Sequence, residues 1–244
     1  YRRLADAKAK NPNLTVVCID PRRTETARAA DLHLPILPGT DVALFNAVLH
    51  WLSWEDAIDA AYINAHTEGF SELKSLVREC TPAWAARICG VDEVQIVAFA
   101  KLWQRSAATL SLYCQGLNQS IHGTNNGAAL IHLHLATGKI GKPGMGPFSL
   151  TGQPNAMGGR EAGAMANLLP GHRELTNVDA RADLARLWGI PALPEQAGKT
   201  AVELFDALHD GSIKAAWIAC TNPAHSLPDL TRVREALTRA EFVV

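Results

Sequence analysis

Three polar loops of this chain carry side chains suited to gripping a flat heterocycle and its phosphates. Asp20-Pro21-Arg22-Arg23-Thr24 follows one apolar run, Cys114-Gln115-Gly116-Leu117-Asn118-Gln119 a second, and Cys220-Thr221-Asn222-Pro223 a third. The carboxamides of Gln115, Gln119 and Asn222 each offer donors and an acceptor, the edge pattern that a purine or pterin ring presents in return. Arg22 and Arg23 supply forked guanidiniums that match phosphate oxygens. Apart from Asp20 these loops are uncharged or basic, which suits an anionic ligand. The chemistry they imply is binding of a nucleotide-like cofactor.

A fourth segment stands apart. Residues 137–161 read TGKIGKPGMGPFSLTGQPNAMGGRE, with seven glycines and three prolines between Gly138 and Glu161. The stretch has neither helical nor strand periodicity, so it predicts a long connection without regular structure. Such connections in compact domains are either functional or disordered. Low charge and the interleaved Ile140, Met145, Phe148, Leu150 and Met157 argue against disorder, so the loop is expected to pack its backbone against a ligand.

The elements that must position these loops alternate between short apolar runs and helices. Strands are predicted at 14–19, 32–37, 108–113, 213–219 and 241–244. Helices are predicted after Pro38-Gly39-Thr40-Asp41, where Thr40 or Asp41 can cap, after Thr81-Pro82 and after Val91-Asp92-Glu93, and over 124–136, 178–188, 200–208 and 230–239. This alternation predicts an α/β fold: a parallel sheet in Rossmann-like layers with helices on both faces. Ligands of such sheets sit outside the carboxyl ends of the strands, where the three polar loops fall. The expected organisation is a dinucleotide-binding region over 1–140, a glycine-rich active-site loop over 141–170 and a second, truncated α/β region over 171–244.

Composition narrows the function classes. With 244 residues, a formal net charge of -1 and 48% hydrophobic residues, the chain has a globular composition with no basic excess to favour nucleic acid. No apolar run approaches the ~18 residues of a membrane span, so no membrane partner is expected. Five scattered cysteines without a Cys-x-x-Cys pair fit neither a disulfide framework nor a zinc or iron–sulfur site, so no metal ligand is assigned. A reducing, cytoplasmic setting follows. His132 and His134, two apart on a helix, face different sides and make no metal pair.

The segments VVCIDPRRTETARAADLHLPILPGTDVAL, QGLNQSIHGTNNGAALIHLHLATGKIGKPGMGPFSLTGQPNAMGGRE and IACTNPAHSLPD, in this order, resemble the molybdopterin oxidoreductase family. Within it they are most similar to the catalytic subunits of bacterial assimilatory nitrate reductases. The resemblance implies the central fold of the formate dehydrogenase/DMSO reductase superfamily. It also implies a molybdenum-bis(molybdopterin guanine dinucleotide) cofactor, with a 4Fe–4S cluster and an electron-donor protein or domain feeding it, and nitrate as the substrate reduced to nitrite. Such chemistry belongs mainly to the cofactor, which the protein positions. By resemblance, Asp20, Pro21, Arg22, Arg23 and Thr24 meet one guanine dinucleotide. Gly39, Thr40 and Asp41 contact the same moiety, with Asp41 reading guanine N–H donors. Gln115 and Gln119 lie beside the pterin, and Asn222 meets the other cofactor half. Arg160 matches an arginine at the base of the substrate funnel, and its guanidinium suits a planar oxyanion. The flanking Gly158 and Gly159 would let backbone approach the metal.

Two departures accompany the resemblance. The cysteine cluster that holds the family's iron–sulfur centre and the molybdenum-ligating cysteine are both missing from the sequence. Its ends, YRRLADAKAK and EFVV, read as cut. The expectation is a central fragment that does not reduce nitrate alone. A formate dehydrogenase-like fragment is the second reading; those loops continue as GQ-N-N-x-Q-G-A-C-D, where this chain has GQPNAMGGRE. A non-catalytic nucleotide-binding α/β module is the third.

Overall fold

The structure, a computed structural model, describes residues 2–244. The chain divides after Gly152 into two units, each with its own core. The division falls inside the glycine-rich segment.

The first unit opens with α1 (Arg2–Lys10), β1 (Val17–Ile19), α2 (Glu25–Ala29) and β2 (Leu32–Leu34). Its helical body is α3 (Asp41–Trp54), α4 (Ala60–His66), α5 (Phe70–Leu76), a 3-10 turn at Val77–Glu79, α6 (Pro82–Cys89) and α7 (Glu93–Arg105). Then come β3 (Leu110–Tyr113), α8 (Gln115–Asn118), α9 (Gly123–Ala136) and β4 (Gly146–Ser149). The core forms around α3, which is apolar on nearly every side and is therefore enclosed. Leu44, Val48 and Leu52 are fully buried, with Ile96 and Ala100 of α7 and Leu133 of α9 in the same cluster. Local signals set the helix ends. Thr81 Oγ1 accepts from Trp84 N with Pro82 at the first helical position, and Gly90 closes α6 in the left-handed conformation.

The second unit holds α10 (Ala156–Glu161), β5 (Leu168–Leu169), β6 (Arg173–Glu174), α11 (Val178–Trp188), α12 (Ala201–Asp210), β7 (Ala215–Ala216), α13 (Pro223–Ser226), α14 (Leu230–Arg239) and β8 (Phe242–Val243). α12 begins with a full capping box between Thr200 and Glu203. It packs on α14 through Phe205, Leu208, Val233 and Ala236. A smaller cluster joins Leu169 to Ala180 and Leu184.

Strand pairing follows the parallel expectation. β1 pairs with β2, β3 with β4 and β7 with β8, all parallel; β5–β6 alone is antiparallel. The ladders are separate two-stranded sheets rather than one continuous sheet. Proline or glycine cuts several runs short, as at Asp20-Pro21. The strand expected over 213–219 is reduced to Ala215–Ala216, although ladder bonds continue from Ile218 N to Val244 O (2.7 Å).

The expectation of no regular structure in the glycine-rich segment is corrected. It contains β4, whose Leu112↔Phe148 register lies alongside β3, and the short helix α10. Pairing with a distant strand needs no internal alternation, so periodicity could not reveal β4. Gly138, at φ 61°, turns the chain out of α9 where a Cβ would meet Asp59 Oδ2 at 2.6 Å.

Candidate cofactor-binding site

Within each of two ladders, parallel pairing sets expected ligand segments at strand carboxyl ends. Val17↔Leu32 and Ile19↔Leu34 are in register, so Asp20–Thr24 and the segment leading to Gly39–Asp41 leave the same end of β1–β2. In β3–β4, Leu150 N donates to Tyr113 O at 2.7 Å, and Gln115 and Gly152 emerge together; a Cβ at Gly152 would sit 3.7 Å from Gln115 Nε2. Arg160 and Asn222 belong to the second unit.

The first loop is shaped by its own side chains. Asp20 Oδ1 accepts from Arg22 N at 2.7 Å, an Asx turn, and Thr24 caps α2 by accepting from Ala27 N. His33 Nε2 donates to Asp20 O at 2.8 Å, pinning the start of the turn to β2. Sequence reading missed this residue, because its partner lies on a neighbouring strand. Pro21, Arg22 and Arg23 are exposed, and both guanidiniums lack hydrogen-bond and ion-pair partners among the described residues.

At the second loop Thr40 occupies the N-cap position of α3, yet its hydroxyl donates to Leu37 O at 2.7 Å and caps nothing. Gly39, at φ 82°, makes the turn before it. Asp41 opens the helix. Burial pushes its carboxyl above the ordinary carboxylate range, and its own backbone supplies the single hydrogen bond opposing that shift. A half-buried carboxylate without a donor from another residue is unusual. It fits a ligand that brings N–H groups.

Gln115 is the first residue of α8 and Gln119 its C-cap; both are exposed, with amides unpaired among the described residues. Asn222 heads α13: its carbonyl accepts from His225 N and Ser226 N, and its side chain makes no cap bond. Cys220, just before it, adopts φ 60°. Arg160 lies in the last turn of α10, exposed. The helix begins at Asn155, whose Oδ1 accepts from Gly158 N at 3.1 Å. A Cβ at Gly158 would meet that amide at 2.5 Å, whereas Gly159 has nothing within 4 Å. Gly158 therefore has a local reason to be glycine: it leaves room for the cap.

A buried polar cluster behind β3 was not foreseen. His134 is fully buried, with Nδ1 2.8 Å from Lys139 O and Nε2 2.8 Å from Ser111 Oγ. Lys139, 8% exposed, donates Nζ to Trp103 O, and burial depresses its amine to about 8. Burial also lowers the His134 imidazole, so its neutral form donates Nδ1–H to Lys139 O and accepts from the Ser111 hydroxyl. The run's two lysines, Lys139 and Lys142, gave no sign of which one is buried.

The free guanidiniums, the Asp41 carboxylate with no donor from another residue, and the unpaired amides match a phosphate-bearing heterocycle in charge and donor–acceptor character. The model of molybdopterin oxidoreductases matches residues 1–244. The chain belongs to the molybdopterin oxidoreductase family. Among this family's members, it is 42% identical over 246 residues to a nitrate reductase of Synechocystis sp., covering 100% of this chain and 34% of that one. It is 37% identical to the F420-dependent formate dehydrogenase subunit alpha of Methanocaldococcus jannaschii, covering 97% and 35%. The acetylene hydratase from Pelobacter acetylenicus shares the fold, with a TM-score of 0.67 at 20% identity, over 99% of this chain and 36% of that structure. The chain thus spans about a third of the length of these relatives. No helix among the described residues is long and apolar enough to cross a membrane.

Proposed function

We propose that this chain is the central cofactor-binding part of a molybdenum nitrate reductase, which converts nitrate to nitrite. Asp41 carries the proposal: burial has already raised its carboxyl, and no neighbouring residue donates to it. A guanine base brings two adjacent N–H donors suited to one carboxylate. Arg22 and Arg23 would hold the phosphates, Gln115 and Gln119 the pterin, and Asn222 the second half of a molybdenum-bis(molybdopterin guanine dinucleotide). Asp20, Pro21 and Thr24 shape the first loop, and Gly39 and Thr40 shape the second. When bound, the molybdenum–pterin group supplies the redox chemistry, with electrons arriving through a 4Fe–4S cluster and a donor protein of the parent enzyme.

Arg160 is proposed to bind nitrate. Its guanidinium is unpaired among the described residues, and its fixed charge and planar fork match a planar oxyanion. Nitrate is favoured over formate by the 42% identical nitrate reductase, against 37% for the formate dehydrogenase, and by the GQPNAMGGRE sequence around Arg160. Five free cysteines support a cytoplasmic setting.

The test is titration of the chain with guanosine and adenosine diphosphates by calorimetry. Guanosine diphosphate is expected to bind about tenfold or more tightly, the worth of one charge-assisted pair, and Asp41→Asn should erase the preference. Equal affinity, or no binding of either, overturns the guanine assignment. Nitrite production by the full-length enzyme should fall by about two orders of magnitude or more in Arg160→Ala. An unchanged rate removes Arg160 from the site.

A further inference from the structure

The inner face of β3 is polar and its outer face apolar, the reverse of an ordinary half-buried strand. Ser111 faces α9 through His134, and the Tyr113 hydroxyl lies near Gly127 of the same helix. Thr109 Oγ1, one step earlier on this face, is buried without a partner among the described residues. Four elements meet around these groups. α9 gives His134 and its C-cap Thr137, α7 gives Trp103, the turn out of α9 gives Lys139, and β3 gives Ser111. Trp103 Nε1 donates to Thr137 Oγ1 at 3.2 Å, and Lys139 Nζ donates to the Trp103 carbonyl. Thr137 Oγ1 donates in turn to Leu133 O of α9 at 2.7 Å, so the chain of side-chain and backbone bonds returns to the helix that carries His134. An apolar core would hold these elements together as tightly, but it would leave their mutual sliding less restricted. Hydrogen bonds of fixed length and direction define one register.

What that register controls is visible along β3–β4, from its start to its carboxyl end. Gly146 N donates to Thr109 O at 3.0 Å, and Leu150 N to Tyr113 O at 2.7 Å. Fixing Ser111 and Lys139 thereby fixes where Gln115 and Leu150–Gly152 emerge. We propose that His134 and Lys139 are positioning residues, a buried clamp that sets the β3–β4 register and so holds Gln115 and Gln119 for the pterin. The pterin part rests on the function proposed above; the clamp itself does not.

The test has two arms on the 244-residue chain, comparing Lys139→Met, His134→Ala and His134→Gln. The glutamine can keep a donor toward Lys139 O and an acceptor toward Ser111. In the first arm, amide hydrogen exchange should quicken tenfold or more at Gly146, Leu150, Leu117 and Gln119 in Lys139→Met and His134→Ala. The amides of α3 should keep their protection, and His134→Gln should restore the wild-type pattern. Uniform loss of protection across the first unit, or none, overturns the clamp. In the second arm, binding of 6-carboxypterin is followed by its fluorescence, with guanosine diphosphate as the reference ligand. Pterin affinity should drop at least tenfold in the two disrupting variants while nucleotide affinity changes less than twofold. Parallel loss of both overturns a positioning role. If wild type binds no pterin, the pterin assignment of Gln115 and Gln119 falls, and the exchange arm alone judges the clamp.

Discussion

Asn155 Oδ1 accepts a hydrogen bond from the backbone N–H of Gly158 at 3.1 Å, over a glycine whose missing Cβ would lie 2.5 Å from that same amide. The two residues define the start of the helix that carries Arg160. Gly158→Ala should displace the cap and cost about 1 kcal/mol, the usual worth of an N-cap. Gly159→Ala meets open space in a helical backbone and should stabilise by about 0.5–1 kcal/mol. Thermal unfolding of both variants checks the contrast; two equal and opposite-to-expected shifts would dismiss the cap as the reason for Gly158.

The Asp41 carboxyl is raised by burial, so its charged form is disfavoured in the folded chain relative to the unfolded one. Folded protein therefore binds the proton more tightly, and stability contributed by the protonated acid is lost as pH rises through the folded value. At neutral pH, Asp41→Asn should raise the melting temperature of the ligand-free chain while weakening guanosine diphosphate. Such opposition of stability and binding is expected where a charge is kept for a ligand. A destabilised Asp41→Asn chain would indicate that the carboxylate serves the fold.

Lys139 titrates in the other chemical sense. Its amine falls from 10.5 to about 8 through burial, so between these values the unfolded chain holds a proton that the folded chain has released. Stability then rises with pH across that window. The size of this depression caps the gain at roughly 3 kcal/mol. Burial depresses His134 too, so protonation of the unfolded chain should cost stability as pH falls below about 6.5. The difference in unfolding free energy between wild type and Lys139→Met should grow from pH 8 to pH 10 in favour of wild type. A difference flat with pH would mean the amine is not desolvated.

The outer face of β3–β4 leaves Leu110, Leu112, Phe148 and Leu150 exposed. Apolar side chains on a short, open parallel pair favour association. Replacing Leu112 and Phe148 by threonine keeps strand propensity, and should lower self-association in sedimentation velocity with a stability change within about 0.5 kcal/mol per site. Loss of several kcal/mol would show that these residues are buried in solution.

Much of the helical framework was legible residue by residue. Val178–Trp188 and Leu230–Arg239 begin and end where patterning and caps indicated, and the Thr81-Pro82 and Val91-Asp92-Glu93 starts are where the signals lie. These boundaries depend on bonds between neighbours a few residues apart, which a linear reading contains. Strand extents were less legible: 32–37 contracts to Leu32–Leu34 because a strand lasts only as long as a partner lies beside it.

The amino-acid sequence determined which loops are rich in amides and guanidiniums, where the helices start, and the family to which the chain belongs. Tertiary structure decided the rest. It paired β4 with β3 inside a run without periodicity, turned the Thr40 hydroxyl away from its cap, gave Gly158 its reason, and buried His134 and Lys139 together. Each of these depends on atoms brought close in space, and their desolvation follows from that closeness rather than from residue order.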